Sequence, residues 1–140
     1  MNELIDTPVL IHPELTFDPV MKQGHTGAIT NIVHENDEIY VKFEDAVFGL
    51  YSADALLVLR PLPDLLENLR GGIENMDRAD VLAMLNIYLL RQSGRKEDIT
   101  EALSLAGFSE VLWDKAMIPL DEWIDRGLSN DQTDNRGISR

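Results

Sequence analysis

The sequence predicts an α+β chain: a small, closed antiparallel β unit at about 20–60, joined directly to four or five short helices at about 62–128. Three observations carry this. Gly24 and Gly27 bracket a tight reversal, Ile39–Phe43 alternates strictly between apolar and polar residues, and past Pro61 the apolar period changes from two to about 3.6.

Residues 1–19 contain Pro8, Pro13 and Pro19, a spacing that excludes a helix. They read as an extended N-terminal arm with Val9-Leu10-Ile11 as a short edge strand, wrapping the β unit or packing on the helices. Met21–Ile29 then reads as strand, tight loop, strand, because glycine reaches positive φ without steric cost. Ala28–Val33 is rich in β-branched residues and meets Glu35-Asn36-Asp37, a turn cluster that tolerates left-handed backbone.

In the next strand Ile39, Val41 and Phe43 point one way and Glu38, Tyr40, Lys42 and Glu44 the other, as a half-buried strand requires. Glu44-Asp45 turns the chain into Val47–Tyr51, with Gly49 inside it. A short helical turn at Ser52-Ala53-Asp54 precedes a last strand, Leu56–Arg60, which Pro61 ends.

Four or five short strands in about forty residues are too few for a sandwich and fit a small barrel. Gly24-His25-Thr26-Gly27-Ala28-Ile29-Thr30, the alternation at Ile39–Phe43, Gly49-Leu50-Tyr51 and the closing Leu56-Leu57-Val58-Leu59 together resemble SH3-like barrels of the KOW and Tudor type. The resemblance covers under a third of the chain and concerns the superfamily fold. It implies an SH3-like antiparallel β-barrel at 20–61 that binds protein or nucleic acid through loops and exposed aromatics, catalysis being uncommon among such modules.

Beyond Pro61, Pro63-Asp64 opens a short helix with Leu65, Leu66 and Leu69 on one side, closed by Gly71-Gly72. Asp77 caps the next, Arg78–Gln92. Its Val81, Leu82, Met84, Leu85, Ile87, Tyr88, Leu89 and Leu90 make it apolar nearly all round, which predicts a central helix. Ile99, Ala102, Leu103 and Ala106 give a third, amphipathic helix that Gly107 stops; Ser109 caps a fourth through about Lys115; and Pro119 starts a fifth that ends at Gly127. Residues 129–140, with Ile138 as their one apolar side chain, read as a flexible polar tail.

Composition excludes several kinds of chemistry. The 140 residues contain no cysteine, so disulfides, thiolate nucleophiles and cysteine-ligated metals are absent. Met1–Asp6 lacks a basic region and an apolar export run, and Val81–Leu90, the longest apolar window, is too short to span a bilayer. The expectation is a soluble cytoplasmic protein. The net charge is −13, from 12 Lys plus Arg against 25 Asp plus Glu, and both halves are acidic. Such a field repels phosphate backbones, so nucleic-acid binding is disfavoured, and it suits either solubility or a basic protein partner.

Residues tested for chemistry resolve into structural roles. The helix–Gly107–helix pattern superficially resembles a helix-turn-helix, but Glu110 and Asp114 oppose a reading function. His12, His25 and His34 fall near carboxylates without a metal-ligand spacing. Asp131, Thr133 and Asn135 lack the glycine and glutamate of a calcium loop. No phosphate loop, nucleophile elbow or dinucleotide fingerprint occurs, so no cofactor or metal is expected.

Aromatic placement remains. Tyr40 opposes the apolar face of its strand, and Phe48 and Tyr51 lie on opposite faces of the next, so Tyr40 and one of them share an outer patch. The Tudor-like resemblance makes Tyr40, Phe48 and Tyr51 partner-binding candidates. A simpler expectation is that the helices after Pro61 cover this patch, and that Trp113 and Trp123 anchor the core. The function expected is a non-catalytic, acidic protein-interaction module. Alternatives are an inhibitor or immunity-type protein that blocks a basic nuclease-like partner, an enzyme of unfamiliar type using carboxylates, and a nucleic-acid-associated protein with a basic stripe from Lys22, Lys42, Arg60, Arg91, Arg95 and Lys96. The partner's identity and the oligomeric state are open.

Overall fold

A computed structural model describes residues 4–33 and 38–127, so the expected tail at 129–140 and His34 lie outside the described residues. In chain order it contains β1 (Pro8–Ile11), β2 (Thr26–Ile32), β3 (Ile39–Phe43), β4 (Phe48–Tyr51), a 3₁₀ turn (Ala53–Ala55), β5 (Leu56–Leu59), α1 (Leu62–Gly72), α2 (Arg78–Ser93), α3 (Lys96–Gly107), α4 (Glu110–Ala116), β6 (Met117–Pro119) and α5 (Leu120–Asp125). The chain is α+β.

All six strands form one antiparallel sheet in the order β4-β3-β2-β1-β5-β6. The sheet is open. Its terminal strands β4 and β6 do not pair, so the closed barrel expected from the sequence is not completed by hydrogen bonds. The physical reason is a strand drawn from the helical region: β6 takes the free side of β5, with Leu57 opposite Pro119 and Leu59 opposite Met117.

A second correction concerns Val9-Leu10-Ile11. This is a central strand, not an edge. Leu10 pairs with Thr26 on one side and Leu57 on the other. Its uninterrupted apolar run fits, because a strand buried on both faces has no polar side to show. Val9 and Ile11 join one core while Leu10 joins another.

The first core lies inside the curved sheet. Ile39, Val41, Phe43 and Tyr51 from β3 and β4 share this core with Val58 and Ile118 from β5 and β6 and with Leu120 and Trp123 of α5, which packs against β5, β6 and the 3₁₀ turn. The second core lies on the opposite face of β1, β5 and β6, where Leu10, Leu57, Leu59 and Met117 pack against Leu65, Met84, Ile87, Leu103 and Leu112 of α1–α4. β5 serves both, which explains why all four of its residues are buried.

Two glycines permit close approach in the sheet. A Cβ on Gly27 would lie 2.6 Å from Cγ1 of Val41, and one on Gly49 would lie 2.6 Å from the ring and hydroxyl of Tyr51. Both positions therefore exclude any larger residue without displacement of a buried neighbour.

The expected centrality of α2 is not met. Met84, Ile87 and Arg91 are buried, but Leu82, Leu85 and Leu89 are 54%, 40% and 51% exposed. The helix contacts α1, α3 and α4 from one side, and no described residue covers the other.

Candidate functional site

The β3–β4 hairpin builds the candidate site. Alternation sends Ile39, Val41 and Phe43 inward and leaves Tyr40 and Lys42 outward. In β4 the same period turns Phe48 and Leu50 outward and Gly49 and Tyr51 inward. Register then places Tyr40 opposite Leu50 and Lys42 opposite Phe48. Cross-strand neighbours on one face touch, so these four side chains form a continuous surface. Tyr40, Phe48 and Leu50 are 37%, 52% and 51% exposed, and the ammonium of Lys42 lies 5.9 Å from the Phe48 ring centroid, a cation–π distance.

Tyr40 and Phe48 therefore share the outer patch. Tyr51 does not belong to it: it is buried on the inner face, edge-on to Phe43 with centroids 6.3 Å apart, and its hydroxyl donates to Oδ2 of Asp18 at 2.8 Å. The helices do not cover the patch either: they pack on the same face but over β1, β5 and β6, and Tyr40, Phe48 and Leu50 stay exposed. Leu50 and Lys42 complete the surface. Leu50 was discernible in the sequence, as it has the same phase as Phe48.

Beside this face, a 460 Å³ cleft runs between the sheet and the start of α3, lined among others by Thr30, Lys42, Glu44, Lys96 and Glu97. Lys96 Nζ bridges Asp6 Oδ2 across its rim at 3.5 Å. A second cavity, of 340 Å³, lies against Lys22, His25 and Asp45.

The carboxylates whose acidity is shifted are held in the ionised form. Hydrogen bonding from Lys22 lowers the pKa of exposed Asp45, and bonds from Ser93 and Arg95 lower that of Asp98. For Asp18, burial acts upward, but hydrogen bonds from Tyr51 and the backbone of Lys22, Val20 and Met21 outweigh it and the net shift is downward. These are stabilised anions, the opposite of a carboxyl poised to donate a proton near neutrality.

Most cations of the basic stripe weighed from the sequence are engaged within the fold. Lys22 bridges Asp45 at 2.6 Å, Arg60 bridges Asp64 at 3.3 Å, Arg95 bridges Asp98 at 3.0 Å and Lys96 bridges Asp6. Arg91 is 5% exposed, its pKa drawn down by burial, and its Nε donates to the Arg60 carbonyl at 3.4 Å. Lys42, on the outer face, is the one of the six that is exposed and makes no ion pair among the described residues.

Among the described residues no three His, Asp or Glu side chains converge on a point that would hold a metal ion, and no helix is long and apolar enough to cross a membrane. No protein family model, curated protein or solved structure is significantly similar to the chain.

Proposed function

We propose that the protein is a non-catalytic interaction module that presents the outer face of β3 and β4, set in an acidic surface, to a basic protein partner. The observation that carries this reading is the uncovered patch of Tyr40, Phe48 and Leu50 on a sheet face that helices cover only at its β1, β5 and β6 end. Aromatic and aliphatic side chains held rigidly on a strand pair lose little conformational entropy on contact, which suits them to anchor a partner.

The strand order β4-β3-β2-β1-β5 and the single 3₁₀ turn between β4 and β5 support the SH3-like resemblance, although a sixth strand extends the sheet. With a net charge of −13, the surface attracts a cationic partner and repels polyphosphates, so association is fast and weakened by salt. The pairing or burial of five of the six candidate cations supports a protein partner over a nucleic acid. We place this function in the cytoplasm, in keeping with a chain free of cysteine.

The test is affinity capture on immobilised protein at low and high salt, with Phe48→Ser/Leu50→Ser as the comparison. A basic protein retained at low salt, released at high salt and lost with the double variant is the expected result. Recovery of nothing specific, or of a partner indifferent to the double variant, overturns the reading.

A further inference from the structure

The sixteen residues of α2 present two different faces. One packs into the second core through Met84 and Ile87. The other carries Arg78, Leu82, Leu85, Leu89 and Gln92, all exposed, at alternating spacings of four and three residues. That is the spacing of a seam between two helices, because it keeps successive side chains on one line along the axis. Isolated exposed leucines are ordinary; three in register on one helix are an interaction surface.

Charge indicates the occupant. In a chain of net charge −13, the exposed side of α2 displays Arg78, Ala79, Leu82, Leu85, Asn86, Leu89, Gln92 and Ser93, with no carboxylate among them. The one acid of the helix, Asp80, is half-buried off this face. The strip itself offers a cationic partner no carboxylate to pair with. A second copy finds a strip where two acidic molecules touch without opposing carboxylates. An antiparallel two-fold crossing at Leu85 also brings Arg78 of each copy to the last turn of the other's α2, where Gly94 closes the helix with φ 76°. That end of the helix carries the negative pole of its dipole, and Arg78 makes no ion pair among the described residues.

We propose that two copies of this chain associate through α2, antiparallel about a two-fold axis at Leu85, with Leu82 and Leu89 of one copy against Leu89 and Leu82 of the other. The interface is isologous and closed, so association stops at the dimer. Flanking helices α1 and α3 carry Glu67, Glu97 and Glu101 and the turn before α2 carries Glu74, all exposed, so the copies repel at long range and salt strengthens the dimer. This sign is opposite to that of a basic partner on the β3–β4 face.

Sedimentation equilibrium of the full chain decides the matter. The expected result is a monomer–dimer equilibrium with a dissociation constant on the order of 100 µM or tighter in about 0.5 M NaCl, several-fold weaker in about 0.05 M NaCl. Leu85→Glu places two carboxylates at the axis and weakens association at least about tenfold, whereas Phe48→Ser leaves it unchanged. A second readout does not depend on that variant folding. Because the chain has no cysteine, Leu85→Cys introduces a single thiol that air oxidation links across the axis, whereas Leu82→Cys, distant from its own copy, does not cross-link. A monomer at every concentration and salt, a dimer that survives Leu85→Glu, or equal cross-linking at positions 82 and 85 overturns the proposal.

Discussion

The hydroxyl of Tyr51 donates a 2.8 Å hydrogen bond to Oδ2 of Asp18, linking β4 to a loop 33 residues earlier in the chain. Asp18 is 6% exposed and also accepts the backbone N–H groups of Val20 at Oδ1 and Lys22 at Oδ2, each at 3.0 Å. The carboxylate thus folds its own loop around itself, and Tyr51 fixes that loop to the sheet.

Removal of the phenol leaves a buried anion short of one donor. Hydrogen bonds to charged groups contribute about 1.5–3 kcal/mol, so Tyr51→Phe is expected to lower the unfolding free energy by about that amount in urea at neutral pH. A loss below about 0.5 kcal/mol would show that the pair is not coupled to folding.

The same pair sets the pH response. Asp18 has a folded pKa below its ordinary 3.8, so its contribution is complete above that value and is lost as pH falls through the lower folded pKa. Tyr51 is shifted upward from 10.0, first by burial and then by the bond to, and charge of, Asp18, so its contribution is present below 10.0 and lost as pH rises beyond it. Urea midpoints should therefore fall at both extremes. In Tyr51→Phe the alkaline fall attributable to this residue should disappear and the acid fall attributable to Asp18 should shrink, because its folded pKa moves back toward 3.8.

Gly49 lies beneath the same ring. Gly49→Ala is expected to cost about 1–3 kcal/mol, because the added methyl must displace a buried tyrosine. Displacement also breaks the bond to Asp18, so the loss in Gly49→Ala/Tyr51→Phe should be smaller than the sum of the single losses. Strict additivity in a double-mutant cycle would contradict this coupling.

The outer patch should behave as a surface and not as core. Phe48→Ser/Leu50→Ser is expected to change stability by no more than about 1 kcal/mol, while Ile29→Ala, at a fully buried position of β2, costs about 2–5 kcal/mol. Thermal unfolding of the two variants side by side provides the check, and comparable losses would mean that the patch is structural.

Much of this arrangement is legible in the residues. The two-residue period of Ile39–Phe43 fixes which side chains face outward, and Phe48 has the same phase as Leu50 one strand later. The change of period after Pro61 marks the start of the helices. Other features depend on distance along the chain. A continuous apolar run such as Val9-Leu10-Ile11 does not reveal whether one strand or two will flank it, and Leu10 acquires its second neighbour only at Leu57. β6 is three residues between two helices, too short for any period to register. That Tyr51 faces inward follows from alternation, but its acceptor Asp18 does not. Nor does periodicity show whether the apolar surround of α2 is covered within one molecule.

The central place of β1 bears on how the chain folds as it is synthesised. The hairpins of β2, β3 and β4 join near neighbours and can form early, whereas Leu10 and Ile11 must wait for Leu56 and Leu57, and β5 in turn for Ile118. A nascent chain stalled before Met117 would hold a leucine-rich strand with one side unclaimed, the kind of edge that recruits other chains. Completion of the carboxy-terminal segment is therefore the step that makes the molecule safe from its own kind of β pairing, and fragments ending short of it should aggregate.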